Sequence, residues 1–72
     1  MLNRSADELR TLAAAGAGFE IDAKDFTVDD MRAIAASGSA RSAQLKIQNA
    51  NILDTGSLRA IAASGGGRVF FT

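Results

Sequence analysis

The sequence predicts an α/β protein, a short solenoid-like repeat with three helices on one face of a three-stranded parallel sheet, in the order αβαβαβ. Two observations carry that reading. The phrase Leu9-Arg10-Thr11-Leu12-Ala13-Ala14-Ala15-Gly16 returns as Met31-Arg32-Ala33-Ile34-Ala35-Ala36-Ser37-Gly38, and again as Leu58-Arg59-Ala60-Ile61-Ala62-Ala63-Ser64-Gly65. Each copy is followed by an apolar run of the kind that forms a strand. Recurrence at a period of 20 to 30 residues is the signature of a repeat architecture, because each unit buries its apolar side against the next.

In every copy the apolar residues fall at i, i+3 and i+4: Leu9, Leu12, Ala13; Met31, Ile34, Ala35; Leu58, Ile61, Ala62. That spacing lines one face of a short helix. Ser5, Thr27 and Asp54 each stand four residues before the first large apolar residue, where an N-cap belongs. Ser5 with Glu8, and Thr27 with Asp30, have capping-box spacing. Phe26 with Met31, and Leu53 with Leu58, are placed as hydrophobic staples. Gly16, Gly38 and Gly65 are expected to end the helices as left-handed residues.

The segments between the helices alternate. Phe19, Ile21 and Ala23 point one way and Glu20, Asp22 and Lys24 the other; Leu45 and Ile47 alternate with Gln44, Lys46 and Gln48. Val69-Phe70-Phe71 supplies the third strand. Helical crossovers of this length imply parallel strands. Leu9 to Met31 spans 22 residues and Met31 to Leu58 spans 27, most of the difference lying in the polar loop 39–43, one candidate for a flexible segment. A single domain over 1–72 follows, with units at 5–26, 27–53 and 54–72.

Composition bounds the function. Hydrophobic residues make up 47% of the chain and charged residues 22%, a globular balance. All four aromatics are Phe, so much of the core must be aliphatic and small. With no Cys, His or Tyr, thiolate metal sites and the common acid–base and nucleophilic arrangements have no residues to build on. The chain reads as non-enzymatic, with no catalytic residue, no metal ligand and no cofactor. Formal net charge is zero, which argues against nucleic acid as a partner. The opening residues, Met1 to Glu8, lack an apolar stretch of signal-peptide type, and no apolar run approaches the roughly 20 residues of a membrane span. The expected location is cytoplasmic, without a membrane partner.

The stretch from Leu45 to Gly65, with apolar or small residues at Leu45, Ile47, Ala50, Leu53, Leu58, Ile61, Ala62 and Gly65, resembles a leucine-rich repeat of the cysteine-containing type. In that family a short strand leads through a small residue into a helix that ends in an I-A-x-x-C phrase. Ala50 and Gly65 stand where the family usually has Cys or Asn, and Phe19 to Phe26 is one residue shorter than Leu45 to Leu53. The likeness covers about two thirds of the chain. It implies a strand-and-helix solenoid that binds other proteins, with no catalytic residues to carry over.

The ends of such an array need a polar cap or a partner. Glu20, Asp22, Lys24 and Asp25 guard the first strand, whereas the last is a run of three large apolar residues. Val69 and Phe71 face the helices while Phe70 faces away, or the reverse; in the blandest reading the C-terminus folds under the last helix. The functional expectation is a protein–protein interaction or self-assembly surface on the exposed sheet face and the C-terminal strand, built from Val69, Phe70, Phe71, Lys46 and Gln48. The expected partner is a second copy, in a homodimer or higher oligomer, or another protein. The alternative is binding of nucleic acid or a phosphate ligand through Arg10, Arg32 and Arg59, which hold one position in all three helices. The acids at the helix starts, Asp7, Glu8, Asp29 and Asp30, suit helix N-termini electrostatically. Gln48, Asn49 and Asn51 either form an amide ladder inside or line a recognition surface outside.

Overall fold

A computed structural model describes residues 4–72; Met1, Leu2 and Asn3, with which the signal-peptide reading began, lie outside the described residues. The chain forms α1 (Ala6–Ala14), β1 (Phe19–Asp22), α2 (Val28–Ser39), β2 (Leu45–Gln48), α3 (Thr55–Ser64) and β3 (Val69–Phe71). Two short 3-10 turns, Ala23–Asp25 and Ala50–Ile52, lie between each of the first two strands and the helix that follows. The strands are parallel in the order β1-β2-β3. Phe19, Leu45 and Val69 share one rung of the sheet, and Ile21, Ile47 and Phe71 another. Helix α2 packs against both α1 and α3. No helix among the described residues is long and apolar enough to cross a membrane.

Each helix begins where a side-chain oxygen can take up an otherwise orphaned backbone N–H. Ser5 forms a full capping box with Glu8; the Thr27 hydroxyl accepts from Asp30 N at 3.1 Å, and the Asp54 carboxylate from Ser57 N at 2.8 Å. The core follows the helical stripe and the alternation of the strands. Leu9, Ile21, Met31, Ile34, Ile47 and Ile61 are its largest fully buried side chains. Alanine lets the layers approach: Ala13, Ala23, Ala35, Ala43 and Ala50 are all buried.

Three local expectations are corrected. Gly16 does turn to positive φ (+96°), but Gly38 lies inside α2, and Gly65 closes α3 with φ −86°. These two glycines serve close approach instead of handedness. A Cβ on Gly38 would stand 2.9 Å from Ala43 Cβ and 3.3 Å from Ala13 Cβ, and one on Gly65 would clash with Val69 Cγ2. Stretch 39–43 begins within α2 and ends at buried Ala43, whose N–H donates to Gly38 O at 3.0 Å, so it is a hydrogen-bonded helix ending and not a free loop. Finally, Asp22 lies on the edge strand β1, but its side chain does not guard that edge from solvent. It is 4% exposed, because its carboxylate caps the first 3-10 turn.

Candidate functional site

The candidate site is the sheet face turned away from the core, together with the outer edge of β3. Leu45 and Ile47 are buried while Lys46 between them is exposed, which separates a covered face from an open one. Glu20, Lys46 and Phe70 share one rung on the open side. Lys46 Nζ lies 3.9 Å from Glu20 Oε2, an ion pair open to water and therefore weak. Phe70 is 48% exposed at the end of that rung. A shallow groove on this side is lined by Gly18, Glu20, Gln44, Lys46, Phe70 and Thr72.

The structure chooses between the two orientations of the last strand. Val69 and Phe71 turn toward the core and are half-buried against it, and Phe70 faces away. Of the five residues expected to form an interface, Lys46 and Phe70 are therefore brought together on the open face. Gln48 is half-buried, opposite Asp22 in the ladder. Val69 and Phe71 contribute through their backbone at the edge.

That edge is unpaired among the described residues. Leu45 N donates to Arg68 O at 2.9 Å, and Thr72 N donates to Ile47 O at 2.9 Å. In a parallel ladder alternate residues bond to the same neighbour. Arg68, Phe70 and Thr72 thus face β2, and the N–H and C=O groups of Val69 and Phe71 point outward. At the opposite edge Phe19 N donates to Gln44 O at 3.1 Å, so Glu20 and Asp22 present the outward groups of β1. Charged side chains border that edge, whereas two half-buried apolar residues and an exposed Phe make up β3.

Asp22 and Asn49 form a link that sequence reasoning missed. Asn49 Nδ2 donates to Asp22 Oδ2 at 2.8 Å, and Lys24 N donates to Asp22 Oδ1 at 3.0 Å. These bonds, Lys24 N–H foremost, hold the Asp22 carboxyl below its ordinary value against the opposing effect of burial. The signal was present: Asp22 and Asn49 precede the small residues Ala23 and Ala50 and are 27 residues apart, the spacing of Met31 and Leu58. Asn49 thereby makes one side-chain contact between two units, and both Asn49 and Asn51 are exposed, so no interior amide ladder forms among them.

The three arginines of the alternative reading are all exposed. Arg10 lies 3.6 Å from Asp7 and Arg32 lies 3.9 Å from Asp29, each within its own helix. Arg59 has Gly56 at the matching position and makes no ion pair among the described residues. Of the acids at the helix starts, Glu8 completes a capping box and Asp7 and Asp29 make these pairs, and no cluster of three metal-capable side chains occurs among the described residues.

No protein-family model, curated protein or solved structure matches this chain.

Proposed function

We propose that this protein is a non-enzymatic interaction module that assembles with itself through the open sheet face and the outer edge of β3. One observation carries the reading: the outward N–H and C=O groups of Val69 and Phe71 lie beside an exposed Phe70, on an edge without a charged strand residue. Such an edge is a template for another strand, and added strands gain main-chain hydrogen bonds along with side-chain burial. The resemblance to leucine-rich repeats and the solenoid-like reading of the three phrases support the same conclusion, since arrays of that kind work as binding surfaces.

The test is sedimentation of the wild type and of Phe70→Glu, with circular dichroism to verify that both are folded. The expected result is a wild-type oligomer whose dissociation constant rises about tenfold or more in the variant, equivalent to about 1.4 kcal/mol. A wild type that stays monomeric at every concentration reached would overturn self-assembly. Anion binding through Arg10, Arg32 and Arg59 has less support, because two of the three guanidiniums already face an acid.

A further inference from the structure

We infer that a second copy docks head-to-tail, with its β1 lying parallel beyond β3 and its α1 against α3. This inference rests on the self-assembly reading and names the geometry of the partner. Its starting point is the way the three phrases pack on one another inside the chain. An ideal Cβ on Gly38 would lie 3.3 Å from Ala13 Cβ, and one on Gly65 would lie 3.4 Å from Ala35 Cβ. The glycine of each phrase thus covers the alanine of the phrase before it. Leu9 with Ala13, and Met31 with Ala35, are buried accordingly. Leu58 and Ala62 hold the same positions in α3, the third helix, and both remain half-exposed.

The opposite end shows the reverse deficit. Ile34 and Ile61 are 1% and 0% exposed, yet Leu12, at the matching place in α1, is 37% exposed. One end lacks cover on the Leu58 and Ala62 flank, the other on the Leu12 flank. These are the two flanks that meet at each internal junction, so a second copy placed as a continuation covers both. Its Gly16, which lacks a Cβ, would meet Ala62.

The backbone fits the same placement. Outward groups on β3 belong to Val69 and Phe71, and those on β1 to Glu20 and Asp22, which is the offset a further parallel pair requires. In the register of the existing rungs, Phe19 of the second copy stands opposite Val69 and Ile21 opposite Phe71, so core-facing residues meet core-facing residues. Charge agrees as well. Between residues 4 and 26 there are five acids, Asp7, Glu8, Glu20, Asp22 and Asp25, against three bases, Arg4, Arg10 and Lys24. Between 54 and 72 there is Asp54 against Arg59 and Arg68. A net-negative end therefore meets a net-positive one. A two-fold pairing of β3 with β3 would leave Leu12 exposed and bring two positive ends together. Head-to-tail contact is heterologous, so it grows open chains instead of stopping at a dimer.

The experiment uses two variants that each disable one end: Leu12→Glu, and Ala62→Glu. Should Ala62→Glu fail to fold, Val69→Pro serves instead, since it removes an outward N–H and no bond of the internal ladder. Sedimentation is followed for wild type, each variant alone, and an equimolar mixture, with circular dichroism verifying the fold. The expected result is a wild-type mass that climbs past the dimer with concentration, two monomeric variants, and a mixture that stops at two chains. If Leu12→Glu associates as well as the wild type, the head-to-tail geometry is overturned while self-assembly through β3 stands. A wild type that remains monomeric throughout overturns both.

Discussion

Asn49 holds Asp22 across two adjacent turns of the chain, its side-chain N–H donating to the carboxylate at 2.8 Å. Asn49 adopts φ +58°, a left-handed conformation that aims the side chain back toward the first 3-10 turn. Hydrogen bonds to a charged group contribute about 1.5–3 kcal/mol. Asn49→Gly keeps the backbone comfortable and deletes the amide, so it should cost about 2 kcal/mol in chemical denaturation. Asn49→Ala should cost about 1 kcal/mol more, because a Cβ disfavours positive φ. Equal stability of Asn49→Gly and wild type would show that the contact contributes nothing.

Stability should fall in acid. Glu8 is held below its ordinary value chiefly by the Ser5 backbone N–H, Asp22 chiefly by that of Lys24, and Asp54 by hydrogen bonding with Ser57. A carboxyl with a depressed folded-state pKa stabilises the protein fully above its unfolded value, near 4, and progressively less as pH drops below it. Thermal midpoints measured from pH 6 downward should therefore be level at first and then decline below about pH 4. Asp22→Asn should decline less steeply than wild type, and an unchanged slope would remove Asp22 from the account.

Gly38→Ala is a test of close packing against helix propensity. In an exposed helix interior the change gains about 1 kcal/mol. At Gly38 the new methyl would crowd Ala43 and Ala13, both tied to backbone, at 2.9 and 3.3 Å. Overpacking of this kind costs about 1–3 kcal/mol, so the net effect should be a lower unfolding midpoint. A higher midpoint would mean that the layers can separate freely.

The caps should behave alike despite their different chemistry. Ser5→Ala, Thr27→Ala and Asp54→Ala each remove one acceptor of a helix N-terminal N–H and should each cost about 1 kcal/mol. Ser5→Ala also breaks the reciprocal Glu8 contact, which places it at the larger end of the range. Denaturant titration of the three single variants provides the comparison.

Stability and association should separate on the last two strands. Ile47→Ala empties a fully buried position and should cost about 2–5 kcal/mol, enough to unfold much of so small a domain. Phe70→Ser should change unfolding by no more than about 0.5 kcal/mol, since the ring is half in water, yet weaken self-association. A Phe70→Ser protein that unfolds as easily as Ile47→Ala would move Phe70 into the core.

Several features of the fold were legible because they depend on neighbours along the chain. The stripe Leu9, Leu12, Ala13 and its two recurrences mark helices, and the caps at Ser5, Thr27 and Asp54 mark their starts. The alternation of Leu45 and Ile47 with Lys46 marks a strand with one covered face. Less of the candidate site was legible. Nothing local distinguishes Phe70 from Phe71, since either face of a three-residue strand satisfies the alternation. The burial of Asp22 was hidden for a related reason, as its partner lies 27 residues away.

By itself, then, the sequence determined the elements and the recurrence that sets their length, through periodicity and capping that act within a few residues. The tertiary structure alone decided that Gly38 and Gly65 are spacers between layers, that Asp22 is an inward partner of Asn49, and that Phe70 is the aromatic left facing water. Those outcomes turn on which backbones approach one another across the sheet and between helices. The distances that fix them exist only once the chain has closed on itself.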